Sequence, residues 1–286
     1  MHSLSDIDTV GIVGAGVMGS GIGQVVATHG YEVILHDIES QYLDAGLDTI
    51  SRNLDRAVSR DQINQNDADA ARERVSGTTD LADLAAADLV VETVVENLGV
   101  KQDVFADLDE ITDEDVVLST NTSTISITSI ARSTDRPGQV VGIHFMNPVP
   151  VMDGVEIVDG ERTAEETLSV AHDFAEALDK TTWQSDDKPG FVVNRVLIPW
   201  INEGIRLLDE GVASRNDIDR GLKLGTNVPM GPLELADYIG LDVVLDASET
   251  LHAELGDRYK PAYLLKRKVE AGDLGRKTGA GFYEYE

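Results

Sequence analysis

Six histidines punctuate the chain: His2, His29, His36, His144, His172 and His252. One of them stands where chemistry is expected. His144 falls near the carboxyl end of the apolar run Val140-Val141-Gly142-Ile143-His144-Phe145, just before the turn Met146-Asn147-Pro148-Val149-Pro150. Imidazole titrates near neutrality, which suits a general base that takes a proton from an alcohol. The turn returns the chain to Val155-Glu156-Ile157-Val158, where Glu156 is flanked by apolar residues. A lone charge is costly in such surroundings. Pairing with His144 would remove the cost, fix the ring tautomer and stabilise the imidazolium. The spacing also allows a satisfied core histidine and an edge-strand glutamate facing water. His2 is terminal, while His29, His172 and His252 fall on expected helices. His36 adjoins Asp37, where a structural role is expected.

An alcohol that gives up a proton to a base can give up a hydride to a nicotinamide. The chain offers a place for one at Gly14-Ala15-Gly16-Val17-Met18-Gly19. The β-branched run Thr9-Val10-Gly11-Ile12-Val13 precedes this turn, and a helix-compatible stretch runs on to about His29. Gly14 permits the tight turn, Gly16 lets the backbone approach a pyrophosphate, and Gly19 lets helix and strand pack closely. The helix N-terminus offers unpaired N–H groups and partial positive charge to the phosphates. Asp37 ends the next expected strand, 18 residues past Gly19, placed to bond a ribose 2′-hydroxyl. A 2′-phosphate would be repelled there, so NAD is favoured over NADP. FAD uses the same turn and stays open, as does a glycine-rich turn without a ligand.

These residues need a sheet to carry them. Strands are expected at Glu32–His36, Leu89–Val95, Val116–Thr120 and Val140–Phe145, with helical stretches between them, one over residues 40–60. That alternation predicts an α/β domain with a doubly wound, mostly parallel sheet and helices on both faces. Asp186-Asp187-Lys188-Pro189-Gly190 reads as a linker. Beyond it, helices are expected at 191–210, 214–222, 233–238, 242–255 and 262–271. The expected division is therefore 1–186 for the dinucleotide domain and 187–286 for a smaller all-helical one.

The 286 residues are 42% hydrophobic, enough for packed cores. No apolar run approaches a membrane span, and the N-terminus lacks the pattern of a signal peptide, so a cytoplasmic location is expected. With no cysteine, disulfides and thiolate metal sites are excluded, and no metal site is expected. The net charge of −29 comes from acids spread along the chain. Such a surface repels nucleic acid and anionic membranes and points to a salt-rich cytoplasm, where screening shrinks self-repulsion.

Further segments follow the glycine turn in order: Val91-Glu92-Thr93-Val94-Val95-Glu96-Asn97, Thr120-Asn121-Thr122-Ser123 and His144-Phe145-Met146-Asn147-Pro148. After them come Gly190-Phe191-Val192-Val193-Asn194-Arg195, Gly231-Pro232-Leu233-Glu234-Leu235-Ala236-Asp237 and Gly275-Arg276-Lys277-Thr278-Gly279-Ala280-Gly281-Phe282-Tyr283. Together they resemble the L-3-hydroxyacyl-CoA dehydrogenase family, especially its short form, nearly end to end. The resemblance implies a Rossmann-type first domain, a helical substrate and dimerisation domain, and a homodimer. It implies His144 as base, Glu156 as its partner, and Ser123 and Asn194 as polar groups at the reacting oxygen. Ser123 also follows an expected strand end, which fits that role from the residues alone, with a helix cap as the alternative. Glu96, Lys101, Ser123, Asn147 and Lys277 match positions that touch the cofactor, although all but Ser123 are by themselves surface-compatible.

For coenzyme A, Arg52, Arg56 and Arg60 share one helix face at four-residue spacing. They stand either as phosphate contacts or as a solvated face. Where some members carry a serine and a lysine, this chain has Asn53 and Arg60, and Asn53 departs from the pattern. The implied reaction interconverts an (S)-3-hydroxyacyl-CoA of short chain, 3-hydroxybutanoyl-CoA, with the 3-oxo form. An NAD-dependent sugar-acid dehydrogenase of the L-gulonate type and a redox-silent dinucleotide binder remain as alternatives.

Overall fold

A computed structural model describes residues 3–285, so His2 lies outside the described residues. The chain forms two compact units that divide after Lys188.

The first unit is built on one sheet. Its strands are β1 (Thr9–Val13), β2 (Glu32–His36), β3 (Val75–Thr78), β4 (Leu89–Glu92), β5 (Val117–Thr120), β6 (Val140–Phe145), β7 (Gly154–Asp159) and β8 (Thr181–Asp186). They lie in the order β3-β2-β1-β4-β5-β6-β7-β8. All neighbours run parallel except β6 and β7, which pair antiparallel. The chain moves outward from β1 to β3 and then returns to β4 on the other side of β1. That reversal opens a crevice at the carboxyl ends of β1 and β4, where ligands of such sheets bind. Helices α1 (Val17–Thr28), α2 (Ser40–Ser59), α3 (Gln65–Glu73), α4 (Leu98–Ile111), α5 (Ile127–Ala131) and α6 (Glu165–Ala177) complete the unit. Strands covered on both faces are apolar over most of their length: Val10, Ile12, Leu35, Leu89, Val91, Val117 and Ile143 are all at most 1% exposed. On α2 the buried Leu43, Gly46, Ile50 and Leu54 recur at helical spacing, so one stripe faces the sheet and the rest faces water.

Two strands escape the apolar reading. β3 (Val-Ser-Gly-Thr) and β8 (Thr-Thr-Trp-Gln-Ser-Asp) are the two edges of the sheet and are partly exposed, so neither needs a hydrophobic run. β4 stops at Glu92 rather than continuing to Val95. The expected linker is also more ordered than its composition implied. Asp186 closes β8, and Asp187 accepts bonds from Ser126 Oγ (2.7 Å) and Thr128 N (2.9 Å) at the start of α5.

The second unit holds α7 (Val193–Asp209), α8 (Arg215–Thr226), α9 (Pro232–Ile239), α10 (Leu241–Leu255) and α11 (Tyr263–Glu270). The start of α7 falls two residues later than expected, because Gly190 and Phe191 both take positive φ. Ile201, Ile205, Leu233, Leu241, Val244, Leu265 and Phe282 form its core. The motif 231–237 and the motif 275–283 are two halves of one latch. Asp237, 1% exposed, accepts bonds from Phe282 N and Tyr283 N, both at 2.8 Å, and from Tyr285 OH at 2.9 Å. Burial pushes its carboxyl above the usual carboxylate range, against the pull of those donors. Tyr285 is pushed up to about 12, by burial first and then by its bond to Asp237.

Candidate active site

The glycine turn sits on the crevice between β1 and β4. Gly14 takes φ near +100° and donates its N–H to His36 O at 2.8 Å, which ties the turn to β2. Thr93 holds it from the other side, its hydroxyl donating to Val13 O (3.0 Å) and Gly14 O (2.9 Å). At Gly19 a Cβ would lie 1.8 Å from Gly14 O, so only glycine lets α1 approach the strand this closely. At Gly16 a Cβ would meet nothing within 4 Å. Gly16 therefore borders open space, not packing, as a close ligand approach demands. Asp37 Oδ2 accepts the Ala15 N–H at 2.9 Å, which fixes the carboxylate beside the turn. A cavity of about 350 Å³ lies there, lined among others by Gly16, Asp37, Tyr42, Asn53, Asn147 and Pro148. These residues fit a dinucleotide: bare backbone, the N-terminal end of α1, and an acid for ribose.

His144 and Glu156 face each other across the β6–β7 pair, whose register sets them directly opposite. Nδ1 of His144 lies 3.2 Å from Glu156 Oε2. Glu156 is completely buried and His144 is 7% exposed. The pairing anticipated from the sequence is therefore made, and Glu156 does not lie on an edge strand, because β8 pairs with β7 beyond it. The residue after His144 is pinned through the main chain. Phe145 N donates to Asn121 Oδ1 at 2.8 Å, and Asn121 N donates to Glu92 O at 2.8 Å. The following turn contains a cis Asn147–Pro148 peptide. Lys180 Nζ grips that turn through Val149 O (2.9 Å) and Met152 O (2.8 Å). Burial lowers this lysine from its ordinary value, opposed by Asp153 and Asp179.

Beside the glycine turn lies an ionic chain, buried at Glu92 and Lys101 and open at Glu96. Lys101, expected to be surface-compatible, is only 1% exposed. Its ammonium donates to Glu92 Oε1 (2.7 Å) and Val94 O (3.3 Å) and lies 3.4 Å from Glu96 Oε2. Glu96 Oε1 accepts from Thr122 Oγ1 (2.5 Å), Ser123 N (2.9 Å) and Thr124 N (3.2 Å). Partial burial would raise the Glu96 carboxyl. The Lys101 charge and these donors outweigh it and hold the group below its ordinary value. Glu92 goes the other way, raised by burial despite Lys101 and Thr120. Ser123 thus leaves β5 on a turn pinned by Glu96. Its helix-cap reading belongs instead to Ser126, whose side chain caps α5 through Ser129 N.

Arg52 and Arg56 are exposed on one face of α2, and Arg60, also exposed, follows the last residue of that helix. Arg52 bonds Asp48 O and Thr49 Oγ1, and Arg56 bonds Asn53 Oδ1, all within the helix. In the second unit, Asn194 is the second residue of α7 and is half-buried. Lys277 there pairs with Asp242 at 2.6 Å. Sequence reasoning missed Glu92, Thr93, Asn121 and Lys180. The first three lie within the motif segments, and Glu92 carried a further signal, a charge closing the apolar run Leu89–Val91.

A dinucleotide turn and a carboxylate-held histidine at the carboxyl edge of one doubly wound sheet define a dehydrogenase of the dinucleotide-binding class. Residues 9–187 match the NAD binding domain of 3-hydroxyacyl-CoA dehydrogenase, and residues 190–285 match that enzyme's C-terminal domain. The chain belongs to the 3-hydroxyacyl-CoA dehydrogenase family, and is an NAD-binding oxidoreductase. It is 47% identical over 277 residues to a probable 3-hydroxybutyryl-CoA dehydrogenase of Deinococcus radiodurans, covering 96% of this chain and 99% of the relative. A 3-hydroxybutyryl-CoA dehydrogenase of Bradyrhizobium diazoefficiens is 46% identical, with 98% and 96% covered. Among solved structures, Mycobacterium tuberculosis FadB2 superposes with a TM-score of 0.96 at 42% identity, covering 98% of this chain and 99% of that one. The (S)-3-hydroxybutyryl-CoA dehydrogenase of Ralstonia eutropha gives 0.93 at 44% identity, with 98% and 100% covered.

Proposed function

We propose that this protein interconverts (S)-3-hydroxyacyl-CoA and 3-oxoacyl-CoA, with the short 3-hydroxybutanoyl-CoA as its substrate and NAD rather than NADP as its cofactor. The observation that carries the reading is the buried His144–Glu156 contact at 3.2 Å. Bound NAD supplies the hydride acceptor. Glu156 accepts the Nδ1–H of His144, so Nε2 is the nitrogen that takes the hydroxyl proton of the alcohol. Glu156 stabilises the imidazolium that results, and protonated His144 returns the proton in the reverse direction. The apolar strands around the pair exclude water and strengthen that interaction. Ser123, on its pinned turn, is the polar group assigned to the substrate oxygen, and the family motif carries the same role to Asn194. Glu96, Lys101, Asn147 and Lys277 keep the cofactor role that the family pattern gives them.

For the thioester's phosphates the supporting feature is the Arg52, Arg56 and Arg60 face of α2, with Asn53 on the cavity side of the same helix. We place the enzyme in the cytoplasm as a homodimer. Among the described residues no helix is long and apolar enough to cross a membrane. In the helical unit Val196, Val212, Leu224 and Tyr263 are each more than 60% exposed, an apolar surface that a second copy could cover.

Oxidation of NADH with acetoacetyl-CoA, followed spectrophotometrically at low and at molar salt, tests the activity. His144→Gln should lower turnover by roughly 10²–10⁴-fold, the range of general acid–base catalysis, and leave NADH binding within a few-fold. No thioester-dependent NADH oxidation by the unaltered protein at either salt level would defeat the proposal.

A further inference from the structure

Burying a carboxylate against an ammonium is a weak way to stabilise a fold, since an apolar pair of the same volume does as well or better. The Glu92–Lys101 pair is buried at 0% and 1% exposure, and it lies at the carboxyl edge of the sheet rather than in its middle. Every oxygen of Glu92 is committed. Oε1 accepts from Val94 N (2.6 Å) and Lys101 Nζ (2.7 Å), and Oε2 accepts from Thr120 Oγ1 (2.7 Å). Thr120 is the residue opposite Glu92 in the β4–β5 register, and the last of β5. Lys101 continues to Glu96, and Glu96 gathers the Thr122 hydroxyl and the amides of Ser123 and Thr124. One side chain is thus bonded, directly or through two intermediates, to both ends of the turn that presents Ser123.

We infer that Glu92 is a positioning residue: through Lys101 and Glu96 it holds the 121–124 turn, and with it Ser123, in place at the substrate end of the sheet. The inference rests on the proposed function for its consequence in catalysis, but not for the positioning itself. Without its charge, Lys101 has Glu96 as its remaining carboxylate partner. Glu96 is drawn toward the ammonium and away from the turn, which then loosens.

Glu92→Gln tests this, because the amide preserves shape and removes the charge. Hydrogen exchange is read at the Ser123 and Thr124 amides and at Gly11 and Ile12 in β1. The expected result is exchange at least tenfold faster at Ser123 and Thr124, with β1 unchanged. Turnover should fall tenfold or more. Glu92→Asp, which keeps the charge on a shorter side chain, should lie between the unaltered protein and Glu92→Gln in both readouts, with its faster exchange still confined to Ser123 and Thr124. Unchanged exchange at Ser123 and Thr124 overturns the inference. So does uniform acceleration that includes β1, since that marks a structural role only. If Glu92→Gln does not fold, Glu92→Asp decides: its shorter reach should quicken the same two amides selectively, and no selective change overturns the inference. An unaltered protein inactive on the thioester would defeat the proposed reaction and leave the exchange result to judge Glu92.

Discussion

Gly16 and Gly19 stand three residues apart in one motif and serve opposite ends. Gly19 is forced by crowding, with Gly14 O occupying the place of its Cβ, whereas Gly16 borders empty space. The first requirement is of the fold and the second of a ligand. Asp37 would join the two: its carboxylate holds the Ala15 amide, and our proposal also assigns it the ribose. Asp37→Asn separates these roles. The amide oxygen can still accept from Ala15, so the turn should survive, but the charge that repels a 2′-phosphate is gone. The preference for NADH over NADPH, taken as a ratio of kcat/KM values, should fall by tenfold or more. An unchanged ratio would mean that Asp37 does not choose the cofactor.

At the scale of elements, legibility followed burial. β1, β4, β5 and β6 are covered on both faces, so their apolar runs were visible. The edges β3 and β8 have no such run, because one side of each faces no strand. His144 and Glu156 were legible for the same physical reason, as polar groups in apolar strands. Lys101 was not: it lies on the buried face of α4 with Phe105 and Leu108, but the carboxylate that makes its burial tolerable, Glu92, comes from another element. The C-terminal motif was read as a family signature, and its local cause is steric as well as polar. A Cβ at Gly281 would lie 2.0 Å from Asp237 Oδ1, in the middle of the latch. Gly281→Ala should therefore cost about 2–4 kcal/mol, from overpacking and displaced hydrogen bonds. Gly221→Ala, on α8 where a Cβ meets nothing within 4 Å, should be neutral or slightly stabilising. Denaturant unfolding of the two variants compares them directly, and equal midpoints would remove the latch from the account.

For the whole molecule the charge matters more than any pair. The −29 is not evenly shared between the two units. Thirty-six of the fifty-two acids precede Pro189, but only eleven of the twenty-three bases do. The excess therefore sits almost entirely on the unit that carries the glycine turn. Like charges there repel over about 30 Å at 0.01 M salt and only about 3 Å at 1 M. The helical unit, near balance, feels little of this. The sequence also supplies a reporter for each: Trp183 in β8 and Trp200 in α7. In Trp200→Phe, fluorescence follows the first unit, and in Trp183→Phe it follows the second. The thermal midpoint seen by Trp183 should rise steeply between dilute buffer and molar potassium chloride, and that seen by Trp200 should move much less. NADH is itself anionic, so its binding to the same unit should tighten over that range, the reverse of ordinary screening between opposite charges. Full stability of the first unit in dilute buffer, or equal shifts at both tryptophans, would show that the acidic surface is not an adaptation to salt.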